Sequence, residues 1–178
     1  MATAAETLLI GVLVCAASVP IVTALAAAGA GSAALAEFAD SGTPVRVRRF
    51  ASLVRAALAD PVAWVVPPVL VVVGVLDTLA VAGGLPGRAA MGPVLALVGA
   101  AAIIVCTAAA ARWRPGIGWS RALMEGADAC VGDPAGSVLM LGALAVVVLV
   151  TSAEPAFVVI APGLVLLAAV AVHRRRSI

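Results

Sequence analysis

The chain has 178 residues, of which 64% are apolar and only 11% charged, with eleven basic and nine acidic residues giving a net charge of +2. This composition excludes an ordinary soluble domain, in which about 25% of residues are charged, and the small net charge gives no reason to expect a nucleic-acid partner. Since about 20 apolar residues cross a bilayer, the length allows several spans and leaves little chain for a separate soluble domain. We therefore predict a single all-α domain over residues 1–178, a polytopic helix bundle in a membrane.

Apolar runs, taken in chain order, predict five transmembrane helices. The first run is longer than the roughly 7–15 residues of a signal-peptide core, and no Lys or Arg precedes it. We therefore favour an uncleaved anchor, with processing near the Ala-rich stretch at 26–30 as the alternative. The last two runs are short and meet at Glu154-Pro155, where proline suits the start of a new helix; a re-entrant hairpin is the alternative there. The five predicted spans are 7–29, 61–82, 92–111, 137–153 and 155–172.

The loops between these spans differ in their content of basic residues. The loops at 30–60 and 112–136 and the tail after 172 together carry ten arginines, whereas the opposite side carries only Arg88. Because arginine-rich loops remain in the cytoplasm, we expect the N-terminus outside and the C-terminus inside. Trp64, Trp113 and Trp119 fall near the predicted cytoplasmic boundary, where indoles are commonly half buried.

Both cytoplasmic loops contain an apolar periodicity typical of amphipathic helices. In the first loop, Thr43 can cap a helix that begins at Pro44. The apolar positions 47, 50, 53, 54, 57 and 58 recur at helical spacing, and the arginines flank them. We expect this basic helix to lie in the membrane interface, and a shorter stripe from Trp119 to Cys130 predicts a second such helix. The candidates for an interfacial or docking role in the two loops are Arg46, Arg48, Arg49, Phe50, Arg55, Trp119 and Arg121.

The two halves of the chain resemble each other in one pattern. A shift of 73 residues superimposes Asp60-Pro61 on Asp133-Pro134, Arg48 on Arg121 and Phe50 on Leu123. An Asp cap followed by proline is a favourable way to begin a helix. The pattern predicts either an internal repeat, of the kind found in transporters, or two independent helix starts.

The stretch Ser18-Val19-Pro20-Ile21-Val22-Thr23, the small residues that follow it to Ala34, and the arginine-rich connector with Phe50 resemble the YesL-like family of small bacterial membrane proteins. The five-span layout with a basic tail is also similar to that family. The chain departs from the family in having Ala24 where many relatives have glycine, and in its low aromatic and asparagine content. The resemblance implies a multi-pass protein of the bacterial cytoplasmic membrane, with an association with carbohydrate uptake and ABC-transporter permease subunits as possible partners.

Prolines and one carboxylate are the candidates for a role inside the membrane. Pro20, the pair Pro67-Pro68, and Pro162 in the fifth span each remove a backbone hydrogen bond, and Ser18 or Thr23 can return one near Pro20. Broken helices line sites in some transporters, but proline is also tolerated in membrane helices wherever neighbours satisfy the backbone. Asp77 is the clearest ionisable residue within a span; it could serve a ligand, pair with Arg88 or reach the outer interface.

No pattern in the chain is typical of an enzyme. His173 is the only histidine and adjoins three arginines, the cysteines lack paired or metal-ligand spacing, and no phosphate-binding loop is evident. We expect neither a cofactor nor a metal. Two functions remain: an accessory or regulatory subunit that acts through helix–helix and cytoplasmic contacts, or a small carrier or substrate-binding component that uses the proline-broken spans and Asp77. A structural membrane protein with neither role is the third option. Membrane lipids and a second copy of the chain are further expected partners.

Overall fold

The computed structural model describes residues 2–42, 46–83 and 88–153, and all the regular structure in these ranges is helical. The predicted all-α class is thereby confirmed. A short 3₁₀ turn, Ile21–Thr23, lies between the first two helices. The helices are α1 (Ala2–Ala17), α2 (Ala24–Ser41), α3 (Val47–Leu58), α4 (Val62–Ala82), α5 (Arg88–Arg112), α6 (Trp119–Gly132) and α7 (Pro134–Ala153).

The segment predicted as one continuous span, 7–29, is broken in its middle. Helix α1 ends at Ala17, and the backbone at Pro20 is extended (φ −76°, ψ 116°). Proline lacks an N–H group and its ring disfavours helical backbone at the preceding residue, so a helix stops before it. The hydroxyl of Thr23 donates hydrogen bonds to the carbonyl oxygens of Ala17 and, at 2.7 Å, of Pro20. The interruption of this span expected at Pro20 is therefore present, and Thr23 returns hydrogen bonds there as predicted.

Helix α2 is the centre of the fold. All its residues from Leu25 to Ala36 are buried except the half-buried Ala28, and most are Ala, Gly or Ser. Such small side chains let neighbouring helices approach closely, and α1, α3 and α5 pack against α2. The helix runs on to Ser41 and ends at Gly42, whose φ of 66° suits glycine. The cytoplasmic loop predicted for 30–60 is thus wrong over its first third, which belongs to the core helix.

Three helices in the described part of the chain are long and apolar enough to cross a membrane: Ile21–Ser41, Val62–Ala82 and Ala90–Arg112. The last two correspond to the spans predicted at 61–82 and 92–111. The three differ in coverage, since 61% of the most apolar stretch is buried in the first, 6% in the second and 17% in the third. Helix α7 covers the fourth predicted span; the fifth, 155–172, lies outside the described residues together with Pro162, His173 and the basic tail.

The helix bounds agree with the repeat predicted from the sequence. Shifted by 73 residues, α3 would cover 120–131 and α4 would cover 135–155, close to the observed bounds of α6 and α7. In each half the short helix packs against the longer helix before it, α3 against α2 and α6 against α5. Both Asp-Pro corners cap a helix, because the N–H of Val62 donates to Asp60 Oδ1 at 3.0 Å and that of Gly136 donates to Asp133 Oδ1 at 2.8 Å.

Candidate functional site

Asp60 joins two corners of the molecule. Its Oδ1 caps α4, as the sequence predicts, while its Oδ2 accepts a 2.7 Å hydrogen bond from the backbone N–H of Trp119, the first residue of α6. The first N–H groups of a helix have no partner within the helix, so one carboxylate satisfies such a group in each of two helices. The second bond links residues 59 positions apart, and no local pattern in the sequence indicates it.

Two stacked indoles lie beside this junction. The rings of Trp113 and Trp119 are 5.5 Å apart at an angle of 12°, and the two residues are only 2% and 0% exposed. The indole N–H of Trp119 donates to the carbonyl of Ala57 at 3.0 Å. The pair lies against Gly29 of α2, where an added Cβ would come within 2.6 Å of the Trp119 ring.

The placement of these two tryptophans corrects the sequence prediction. Both are fully buried in the core rather than half buried, and Trp119 is not exposed for docking. Because Gly29 leaves room above α2, large rings fill the space between α2 and α6. Only Trp64 retains the exposure expected at an interface, and its indole N–H donates to the carbonyl of Leu58 at 2.8 Å.

Replacement of Asp60 by alanine should destabilise the fold. The substitution leaves the N–H groups of Val62 and Trp119 without their acceptor, and a lost helix cap costs about 0.5–2 kcal/mol. We expect a lower thermal midpoint in mild detergent, together with increased proteolysis between α5 and α6. Asp128→Ala, at an exposed position of α6, is the matched control and should behave as the native chain. Equal midpoints for the two variants would contradict the assignment of Asp60 as a double cap.

The basic helix α3 also differs from its predicted placement. Its apolar residues Phe50, Leu53 and Ala57 are buried, and α3 packs against α2. The apolar side expected to enter the membrane interface is thus occupied by the protein itself, and Phe50 cannot serve as a docking residue. An amphipathic pattern shows that one face will be covered but does not tell whether lipid or another helix covers it.

The arginines of the predicted docking surface are exposed. Arg46, Arg48 and Arg55 point away from the core, while Arg49 forms a 2.6 Å ion pair with Glu37 of α2. The hydrogen bond and the charge of Glu37 raise the pKa of the Arg49 guanidinium above its ordinary value. On α6, Arg121 pairs with Glu125 at 2.8 Å. Exposed ion pairs of this kind add at most about 1 kcal/mol to stability. The other exposed arginines of α3 give this helix a cationic surface.

An open groove of about 550 Å³ lies between α4 and α5. Its walls are apolar apart from Asp77 and Thr78, and the Thr78 hydroxyl donates to the carbonyl of Gly74 at 2.7 Å. The carboxylate of Asp77 is thus the one charged group among the described residues that line the groove. Asp77, the predicted intramembrane carboxylate, therefore lines this groove.

The candidate residues do not form one constellation. Pro20 and Thr23 lie at the break before α2, and α4 packs against that turn. Pro67 is buried in the second turn of α4 and Pro68 follows it; α4 continues through both, so neither proline ends the helix. Asp77 lies ten residues further on, about 15 Å along the axis at 1.5 Å per residue.

In the described ranges no group of three or more His, Cys, Asp or Glu side chains is placed to hold a metal ion. The described fold places the chain in a broad class, that of all-helical proteins with helices long and apolar enough to cross a membrane. Comparisons of the chain with known protein families, with curated proteins and with solved structures find no match.

Proposed function

We propose that the chain is an accessory or regulatory membrane subunit associated with carbohydrate uptake of the ABC type, acting through helix–helix and cytoplasmic contacts rather than catalysis. The observation that supports the contact function is the low coverage of the most apolar stretches of α4 and α5, of which 6% and 17% are buried by the described part of the chain. Long apolar helices with so little intramolecular contact require lipid or partner helices around them. The carbohydrate association is supported by the resemblance of the Pro20–Thr23 stretch and the arginine-rich connector to the YesL-like family.

The proposal includes a topology in the bacterial cytoplasmic membrane. Five spans, with 155–172 as the fifth, place the N-terminus outside and the C-terminus inside. Helices α3 and α6 then face the cytoplasm, in agreement with the arginine bias. In a cysteine-free background, Ala82→Cys at the outer end of α4 should react with an impermeant maleimide in intact cells, and Arg48→Cys only after permeabilisation. The reverse pattern of labelling would overturn this orientation.

The alternative is a small carrier or substrate-binding component. One observation favours it, namely the groove that contains Asp77. A sugar site, however, needs several convergent polar groups, and this groove offers one carboxylate among apolar walls. The accessory function is therefore the better supported of the two.

The test of the accessory function is affinity purification from the native host grown on different sugars, followed by quantitative mass spectrometry. Recovery of ABC permease or solute-binding subunits above an unrelated membrane protein of similar size is the expected result. The double variant Arg48→Glu/Arg55→Glu, which changes only exposed side chains, should reduce that recovery. Purified alone, the chain should show no sugar binding by calorimetry. Sugar binding without any partner would favour the carrier. If neither a transporter partner nor sugar binding were found, both functions would be excluded.

A further inference from the structure

The connector between α2 and α4 carries an excess of cations. It contains four arginines and a single acidic residue, Asp60. Both carboxylate oxygens of Asp60 accept backbone N–H groups, and the one arginine of the connector that has an acidic partner in the described part of the chain is Arg49, paired with Glu37. Within the same ranges, Arg48 and Arg55 form no ion pair with a carboxylate. The connector therefore presents a surplus of positive charge.

Arg48 and Arg55 lie on one face of α3. They are seven residues apart, which is about 20° short of two full turns and roughly 10 Å along the helix axis. The buried residues Phe50, Leu53 and Ala57 lie on the opposite face, and α3 packs against α2. Both arginines are exposed, so the surface that they form, which we call the α3 cationic face, points away from the core.

The place of α3 in the chain sets its depth relative to a membrane. It connects the helix that ends at Ser41 to the helix that begins at Val62, and both are long and apolar enough to span. Trp64, in the first turn of α4, is 53% exposed and donates its indole N–H to the carbonyl of Leu58 at the end of α3. An exposed indole at the end of a span is typical of the headgroup region. The α3 cationic face therefore lies beside the lipid headgroups.

We propose that the α3 cationic face binds the headgroups of anionic phospholipids in the leaflet at this end of α4. Guanidinium and phosphate groups form paired, charge-assisted hydrogen bonds, and anionic leaflets attract basic segments next to a span. The exposed Trp64 and the low coverage of α4 favour lipid over an acidic protein as the occupant, since both belong to a surface that faces the bilayer. The inference goes beyond the proposed accessory function and does not rest on it.

Trp64 is a natural reporter of the lipids beside α3, because the other two tryptophans, Trp113 and Trp119, are buried. The full chain is reconstituted into vesicles of phosphatidylcholine with a minority of phosphatidylglycerol, and either one lipid or the other carries brominated acyl chains. The ratio of the two quenching efficiencies measures the enrichment of phosphatidylglycerol around Trp64. We expect an enrichment of roughly fivefold over the bulk bilayer, the effect of about one arginine near an anionic surface.

Substitutions of the two arginines test the site itself. Arg48→Gln/Arg55→Gln should remove the enrichment, whereas Arg48→Lys/Arg55→Lys keeps both charges and should retain most of it. Arg48→Gln alone should lower the enrichment. Arg121→Gln is its matched control, because it removes the same charge from an exposed arginine of α6 that is paired with Glu125; it should leave the enrichment unchanged. Thermal midpoints of all variants establish that each is folded.

Three outcomes would overturn the proposal. The first is equal enrichment in the native chain and the double glutamine variant. The second is an equal loss from Arg48→Gln and Arg121→Gln, which would indicate a response to net charge alone. The third is loss of the enrichment when inorganic phosphate is added at constant ionic strength, which would identify a soluble phosphate as the ligand.

The vesicles contain no other protein, so this test is independent of copurification with permease subunits. Variants of Arg48 and Arg55 that lose the permease subunits but keep the lipid enrichment would assign the α3 cationic face to a partner protein. That result would overturn the lipid proposal and leave the accessory function standing. Lipid enrichment without any copurifying subunit would support the lipid proposal and count against the accessory function.

Discussion

Trp119→Ala should be among the most destabilising substitutions in the chain. The side chain is completely buried, stacks on Trp113 and donates its indole N–H to the carbonyl of Ala57. Truncation of a buried large aromatic side chain costs about 3–5 kcal/mol, and here it also opens a cavity above Gly29 and leaves the Ala57 carbonyl without this donor. We expect a marked loss of folded protein in mild detergent, measured as the fraction that remains monodisperse after a heating series.

Trp64→Ala is the matched control for this prediction. Trp64 also donates its indole N–H to a carbonyl, that of Leu58 at 2.8 Å, but it is 53% exposed. Its truncation removes a similar hydrogen bond without creating a cavity in the core. The Trp64 variant should therefore stay close to the native chain, and Trp119→Phe should fall between the two. If Trp64→Ala and Trp119→Ala lowered the midpoint equally, Trp119 would be an interfacial residue as the sequence pattern predicts.

Local patterns in the sequence account for much of the helical architecture. Helix α4 begins directly after Asp60-Pro61, and α7 begins at the proline of Asp133-Pro134. An Asp cap and a proline act within a few residues of the helix start, so local sequence is enough to predict both. Apolar length likewise identifies α4 and α5 as candidate spans. Each of these predictions depends only on neighbours in the chain.

The packing of the candidate site could not be predicted in the same way. The second bond of Asp60 and the indole bond of Trp119 connect residues 59 and 62 positions apart, so no window of local sequence contains them. Helix α3 illustrates a different limit, since its periodicity fits a lipid interface and the surface of α2 equally well. The signal that could have indicated the core is the glycine content of α2 and α6, because glycine within a helix costs about 1 kcal/mol relative to alanine and is commonly retained for a close approach.

Helices α3 and α6, which correspond under the 73-residue shift, each pack against the longer helix before them. In the first half, α3 packs on α2 through Phe50, Leu53 and Ala57. In the second half, α6 packs on α5, and its buried residues are Trp119, Ala122 and Gly126. Gly126 corresponds to Leu53 under the 73-residue shift, so α6 is able to approach its partner helix more closely than a leucine would allow.

Gly126→Leu tests that close approach. An added Cβ at Gly126 would lie 2.9 Å from the backbone nitrogen of Ala109 and 3.1 Å from the carbonyl oxygen of Val105. These are backbone atoms of a helix, so they cannot rotate away, and α5 and α6 must separate to admit the side chain. Overpacking commonly costs about 1–3 kcal/mol, and a whole leucine against a rigid backbone should cost at least the upper end of that range. The expected result is a large fall in the thermal midpoint and exposure of Trp113 and Trp119, seen as a red shift of tryptophan emission.

Gly99→Leu is the matched control, since it introduces the same side chain into a helix at a position with no atom within 4 Å. There the leucine replaces glycine in an apolar groove and should leave the midpoint unchanged or raise it by up to about 1 kcal/mol through helix propensity. Gly126→Ala should fall between, because one methyl already meets the backbone of Ala109. Opposite responses at the two glycines would distinguish a helix crossing that is closed within the chain from a groove that no described residue fills. Equal responses would mean that α6 does not pack on α5 at Gly126 in the membrane.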